Sequence, residues 1–218
     1  VLKMCGMSPE GVRYTLISRD IESPYSGMLP GHCAGLYTRE ECHIDLVKLC
    51  SVAGVRMIHA EVCGINTKKK LIMCSDGRPP LRYDILSLDV GIAPKPLPNI
   101  GSLRECNITP VKPIDTFASR WDSIVARANL DRTGNFRVVV VGGGAGGTEL
   151  CLAMHERLMS ELSKNPNMNL EFTLLQRGSM LLPSHNKGVQ KLIGEVLKRR
   201  QIRILLNSEV IDVEQHEE

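Results

Sequence analysis

The stretch from Arg137 to Leu162 constrains this chain more than any other. Val138-Val139-Val140-Val141 is an unbroken β-branched run, expected of a parallel strand buried on both faces and lying inside its sheet. It leads straight into Gly142-Gly143-Gly144-Ala145-Gly146-Gly147, which fits G-x-G-x-x-G with glycines at 142, 144 and 147. Leu150, Met154, Leu158 and Leu162 then recur four apart, the apolar stripe of a helix. Asn165-Pro166-Asn167 breaks the pattern, and Leu170 to Leu175 reads as a second strand. A glycine triplet alone is as easily a flexible loop as a site. Set between a strand and an amphipathic helix in a β-α-β unit, it predicts dinucleotide binding. The first glycine permits the tight turn, the second lets a pyrophosphate approach the backbone, and the third lets helix and strand pack closely. The helix N-terminus then offers unpaired N–H groups and a positive dipole end to the phosphates.

Downstream, Val189, Leu192, Ile193, Val196 and Leu197 mark another amphipathic helix, and Ile202 to Leu206 a further strand before Glu209-Val210. The N-terminal half repeats this order. Val12 to Arg19 aligns with Leu170 to Arg177 at an offset of 158, and Met28-Leu29-Pro30 matches Leu181-Leu182-Pro183. A helix through Ile44, Val47, Leu49 and Val52 precedes the strand Val55 to Ile58, and Glu61-Val62 answers Glu209-Val210. An internal repeat of this kind predicts two similar α/β units. The offset places the counterpart of the glycine loop before Val1, so the first unit is expected to begin partway through its first helix. The chain opens without an initiator methionine, nothing at its start reads as a targeting segment, and both ends read as cut from something longer. Between the halves, Lys70 to Cys74 and Asp84 to Gly91 read as strands around an Asp76-Gly77 turn, with Lys68-Lys69-Lys70 as a solvated hairpin end. Pro94 to Pro98 reads as a connection, and Phe117 to Leu130 as a linking helix in which Trp121 is packing.

Composition narrows the partners. A net charge of +3 and 4% aromatic residues give little basis for nucleic-acid binding. No apolar run reaches the roughly 18 residues of a transmembrane helix. Eight cysteines without a C-x-x-C pair read as reduced, buried small hydrophobes in a reducing compartment. His32-Cys33 and Cys42-His43 match no zinc-finger spacing, so no metal site is expected.

Two dinucleotide folds joined by a meander and a Tyr-Asp-x-Leu strand resemble the pyridine nucleotide-disulfide oxidoreductase superfamily. Within it, Pro24 to Gly31, His43-Ile44-Asp45-Leu46, Tyr83 to Pro94 and Val111-Lys112-Pro113 resemble the type II NADH dehydrogenase-like flavoproteins, a group also found fused to selenide, water dikinase. The resemblance implies two tandem, three-layer Rossmann-like domains, both incomplete here. These are an FAD-binding part with a β-meander over 1–110, a linker over 111–136 and an NAD(P)-binding part over 137–218. It implies FAD and NAD(P) as cofactors, hydride transfer from nicotinamide to flavin, and a quinone-like or other small-molecule acceptor. A homodimer and a cytoplasmic or mitochondrial location are compatible with it.

By position, Gly142, Gly144 and Gly147 would cradle the nicotinamide dinucleotide, and Glu149 would be the catalytic residue near the nicotinamide–flavin contact. Val62 would offer backbone groups to the FAD adenine, with Val210 its repeat counterpart. Gly91 and Pro94 would lie in the glycine motif that closes over the flavin dinucleotide, and Pro30, within the matching stretch Pro24 to Gly31, is expected among the cofactor-binding residues. Ser18 stands where many relatives place an acid on the FAD ribose. Gln176, followed by Arg177, stands where an NADH-preferring site usually has Glu. A carboxylate there would repel a 2′-phosphate, whereas Gln-Arg tolerates or attracts it; the same pair also suits any polar strand end. No redox C-x-x-C or C-x-x-x-x-C is present, which disfavours disulfide reduction. The alternatives are a non-catalytic nucleotide-binding remnant and an accessory domain serving selenophosphate synthesis.

Overall fold

The computed structural model describes residues 11–91, 108–131, 134–163 and 168–213, the side chain of Asp115 excepted. In chain order the elements are β1 (Thr15–Ser18), β2 (Glu22–Pro24), α1 (Leu29–Cys33), β3 (His43–Asp45), α2 (Leu46–Val52), β4 (Arg56–His59), β5 (Val62–Asn66), β6 (Leu71–Cys74), β7 (Leu81–Arg82), α3 (Ile114–Leu130), β8 (Asn135–Val141), α4 (Ala145–Leu162), β9 (Asn169–Leu175), α5 (Lys187–Arg199) and β10 (Arg203–Leu205). They gather into two units, Val1–Tyr25 with Glu40–Ile92 and Ser26–Arg39 with Ala93–Glu218.

The first unit holds a parallel pair, β1 with β4, in which Thr15 lies opposite Arg56. An antiparallel pair, β2 with β3, and an antiparallel meander, β5-β6-β7, complete it. The meander includes the strand expected from Lys70 to Cys74, and its Asp76-Gly77 turn uses a positive φ of +77° at Gly77. Asp45 starts α2 by accepting the Lys48 N–H at 2.8 Å, an N-cap that satisfies one orphan donor.

The helix expected through Ile44, Val47, Leu49 and Val52 needs correcting. Ile44 belongs to β3, and Ile44, Val47 and Val52 are exposed. A helix of seven residues makes only two turns and buries one narrow stripe, here through Cys50 with Ala53 and Val55 just beyond. Asp84 to Gly91 is not a strand either. No described strand lies beside it, and Ile85 and Val90 are 93% and 89% exposed. An extended segment becomes a strand only when its backbone groups find a ladder partner.

The second unit holds the parallel sheet β10-β9-β8. β9 and β10 place Thr173 opposite Arg203. Thr15 and Thr173, 158 residues apart, therefore each lie opposite an arginine in a parallel strand pair. β8 runs parallel to β9 over seven residue pairs, from Asn135↔Asn169 to Val141↔Leu175. Phe136, Phe172 and Leu174 are buried, whereas Val139 and Val141 are 56% and 54% exposed. The expectation of a strand covered on both faces and interior to its sheet is thus corrected. Among the described residues β8 ends the strand order, and helices cover only the face of Phe136, Val138 and Val140. A third layer is not among the described residues.

That covered face carries the main core. α4 contributes Leu150, Met154, Leu158 and Leu162, the whole expected stripe, at 0–7% exposure. α5 is capped by Asn186, whose Oδ1 accepts the Val189 N–H at 3.0 Å, and carries Lys198 and Arg199 in its last turn, where they oppose the negative dipole end. It buries Leu197 but leaves Leu192 57% exposed, so its packed stripe is narrower than its apolar pattern. α3 begins three residues before the expected Phe117 and packs Phe117, Trp121 and Ala128 into the same core. The Trp121 indole N–H donates to the Cys33 carbonyl at 3.0 Å, which meets the need of a buried donor.

The six described cysteines form no disulfide with one another, and all but Cys63 are buried. Burial pushes the Cys151 thiol up to about 12, so it stays protonated and behaves as core. His155 packs edge-on against Phe172, with ring centroids 5.2 Å apart. Burial, and then Arg200, holds its pKa below the ordinary value of 6.5.

Two outcomes follow. Leu158→Ala should lower unfolding free energy by about 2–5 kcal/mol in urea titrations, the cost of a cavity at a fully buried leucine. Because folded His155 resists protonation, the unfolded chain binds more protons below about pH 6.5, and stability should fall as pH drops through that window. His155→Phe should flatten the dependence of the urea midpoint between pH 7.5 and 5.5. The Glu156–Arg200 pair acts in a lower window, because Arg200 holds the Glu156 carboxyl below its ordinary 4.5.

Candidate functional site

The three glycines of the motif do three different jobs at the junction of β8 and α4. Gly142 adopts φ +115°, a region that favours glycine, and its N–H donates to the Leu175 carbonyl at 2.8 Å. This makes the turn off the strand. Gly147 sits against that turn: a Cβ placed on it would lie 1.9 Å from the Gly142 carbonyl oxygen. Only a hydrogen fits there. Gly144 is the N-cap of α4, with ordinary extended backbone (φ −76°, ψ −178°), and a Cβ on it would meet nothing within 4 Å. Its lack of a side chain answers no demand of the fold and leaves the approach to the helix end open.

The first intrahelical bond runs from the Thr148 N–H to the Gly144 carbonyl at 3.0 Å. The N–H groups of Ala145, Gly146 and Gly147 lie outside that ladder, and no side chain caps them. The first turn carries no acidic residue. A cluster of outward N–H groups at a positive dipole end, reached over a bare glycine, is suited to an anion such as a phosphate.

The segment after β9 forms the opposite wall. The Gln176 side chain accepts the Gly143 N–H at 3.1 Å and donates to the Met180 carbonyl at 3.3 Å. The Leu182 N–H donates to the Gly143 carbonyl at 2.8 Å. Gln190, from α5, donates to the Leu182 and His185 carbonyls at 3.1 and 3.0 Å. Arg177 follows Gln176 and is exposed. The Gln176 backbone bonds to Leu205 and Ser208, so the end of β10 joins the same wall.

Gly142, Gly144, Gly147 and Gln176 are therefore brought together, with Arg177 beside them. Glu149 is exposed on α4 just past the loop. Val210 is half-buried beyond β10, in no strand. Pro30 lies in the first turn of α1. In the first unit, Ser18 ends β1 and its hydroxyl accepts the Asp20 N–H at 3.2 Å, Val62 begins β5, and Gly91 has φ +69°. Pro94 lies outside the described residues. Gly143 and Leu182 went unrecognised in the sequence, although the matched Leu29 and Leu182 of the repeat are both buried in one core. Thr148, 2% exposed with no partner for its hydroxyl, was also missed. Its one signal is its place between the glycines and Leu150.

Residues 6–218 match the profile of the family described as Pyridine nucleotide-disulphide oxidoreductase. No curated protein matches the chain. Among solved structures, NDH2 of Plasmodium falciparum in complex with NADH is similar over 94% of this chain and 45% of that one, with a TM-score of 0.75 and 21% identity. The sulfide:quinone oxidoreductase of Aquifex aeolicus is similar over 98% and 49%, with a TM-score of 0.73 and 17% identity. Putidaredoxin reductase, in its covalent complex with putidaredoxin, is similar over 99% and 48%, with a TM-score of 0.70 and 21% identity. At these identities the likeness is one of fold, and the chain spans just under half the length of these structures.

The glycines should separate by substitution. Gly147→Ala should cost about 3 kcal/mol or prevent folding, because two backbones must part. Gly142→Ala should cost about 1–3 kcal/mol through strain alone. Gly144→Ala should stay within about 1 kcal/mol of the parent, the scale of an N-cap change. Thermal and urea unfolding of the three variants checks the ranking.

Proposed function

Since the chain belongs to the pyridine nucleotide-disulphide oxidoreductase family, we propose that it is part of an FAD-dependent NAD(P)H oxidoreductase that passes hydride from nicotinamide to flavin and on to a quinone-like or other acceptor. The observation that carries this reading is the bare Gly144 in front of the uncapped N–H groups of α4. The loop fits a dinucleotide pyrophosphate by donor chemistry and by the space a Cβ would fill. When bound, a nicotinamide dinucleotide supplies a hydride and a flavin accepts it. The chain's own residues bind and orient. Gly144, Ala145, Gly146 and Gly147 would direct backbone N–H groups at the pyrophosphate. Arg177, exposed at the end of β9, would meet the adenosine ribose and favour a 2′-phosphate. Glu149 would lie toward the nicotinamide.

The flavin side has less support. Ser18, Val62 and Gly91 sit at strand ends and a turn of the first unit, and no glycine-rich strand-to-helix turn lies among its described residues. A quinone acceptor draws support from the name of one structural neighbour, a sulfide:quinone oxidoreductase.

Calorimetric titration of the 218-residue chain should show measurable NADH and NADPH binding, with FAD binding weak. Gly144→Val should remove dinucleotide binding while the unfolding midpoint stays near the parent's. Arg177→Glu should shift preference toward NADH by about tenfold, equivalent to about 1.4 kcal/mol. Absence of binding to either dinucleotide overturns the reading, and NAD(P)H-dependent dye reduction on FAD addition would separate an oxidoreductase from a non-catalytic nucleotide-binding remnant.

A further inference from the structure

Gln176 occupies the strand-end position at which a side chain would be expected to face the cofactor ribose, yet its amide is turned onto the protein. Its Oε1 accepts the N–H of Gly143 at 3.1 Å, and its Nε2 donates to the carbonyl of Met180 at 3.3 Å. The two partners fix the orientation: a backbone N–H requires the oxygen, and a backbone carbonyl requires the nitrogen. Steric packing agrees. A Cβ on Gly143 would meet Leu181 Cδ2 at 2.5 Å and the Gln176 Cβ and Cγ at 3.0 and 3.2 Å, and a Cβ on Gly178 would meet Gln176 Nε2 at 3.2 Å. The side chain thus lies flat between the two glycines. Gly143 is held at both ends, since its carbonyl also accepts the Leu182 N–H at 2.8 Å.

Resting on the dinucleotide reading above, we infer that Gln176 is a positioning residue that latches the phosphate loop to the 178–182 segment, and that it serves NADH and NADPH equally, leaving discrimination between them to Arg177. The chemistry requires an amide. A carboxylate could still accept from Gly143 but would set a second acceptor against the Met180 carbonyl, and an alanine would leave the buried Gly143 N–H without its partner. In either case the loop loses its set position before a ligand arrives, and the ligand must order it on binding. The loss falls on the pyrophosphate, which the two dinucleotides share, not on the ribose, where they differ.

The test uses the full chain and its Gln176→Ala, Gln176→Met and Arg177→Ala variants. It measures NADH and NADPH affinities, the unfolding midpoint, and hydrogen exchange at the Gly143 amide. Gln176→Met keeps the stem and volume, so the latch can be judged even if Gln176→Ala fails to fold. Gln176→Ala and Gln176→Met should weaken both dinucleotides by the same factor, about five- to tenfold, with the NADPH-to-NADH ratio unchanged and Gly143 exchange faster. Arg177→Ala should change the ratio and leave Gly143 exchange alone. A purely structural role would lower the midpoint without changing affinities measured well below it, and would overturn the inference. A changed NADPH-to-NADH ratio in Gln176→Met would also overturn it, because Gln176 would then read the ribose. Wild-type chain that binds neither dinucleotide would instead sink the functional reading, and unaltered Gly143 exchange in Gln176→Met would sink the latch independently.

Discussion

Everything in the second unit hangs on the contact between Gly147 and the Gly142 carbonyl. A helix leaving a parallel strand must turn back over the sheet, and the tightness of that turn sets how closely the helix lies on it. With no Cβ at 147, the first turn of α4 touches the end of β8. From there Leu150, Met154 and Leu158 come down onto the face of Phe172 and Leu174, and the core that α3 and α5 also join can close. The same contact aims the uncapped N–H groups of α4 outward beyond the strand ends. Close helix–strand packing and an uncapped, unobstructed helix end therefore meet at one loop.

The loop is stiffer than its composition implies. Six residues of which five are glycine have a large conformational entropy to lose. Bonds from Leu175, Gln176 and Leu182 to Gly142 and Gly143 oppose that loss. The half of the loop nearest the strand is tied down in this way. The half nearest the helix keeps its donors outward. One end of a glycine-rich segment is thereby fixed and the other left uncapped.

The two units bury their apolar residues to different depths. The second gathers a continuous cluster around Trp121, Leu158, Leu174 and Leu197. The described residues of the first divide into two small clusters, one around Cys50 and Val55, the other around Ile58 and Cys74. Two-stranded pairs and a seven-residue helix offer few positions that can be buried from both sides, and this is why apolar residues such as Val47 and Val52 stay on the surface there.

The residues alone were enough to place the glycine motif between strand and helix, to pick the buried stripe of α4, and to align Thr15 with Thr173, each opposite an arginine in a parallel strand pair. Those features are local: they rest on side-chain period, glycine's lack of a Cβ and spacing along the chain. Other outcomes needed the folded chain. Burial of only one face of β8, the exposure of Leu192 on α5, the assignment of Ile44 to β3 and the failure of Asp84 to Gly91 to form a strand all depend on which element lies alongside. So does the turning of Gln176 onto Gly143 and Met180, residues 33 positions before it and four after it. Period and propensity say what a segment can do on its own. Whether a face is covered, a backbone group is paired or an amide is already engaged is settled by distant parts of the chain, and only the tertiary structure brings these together.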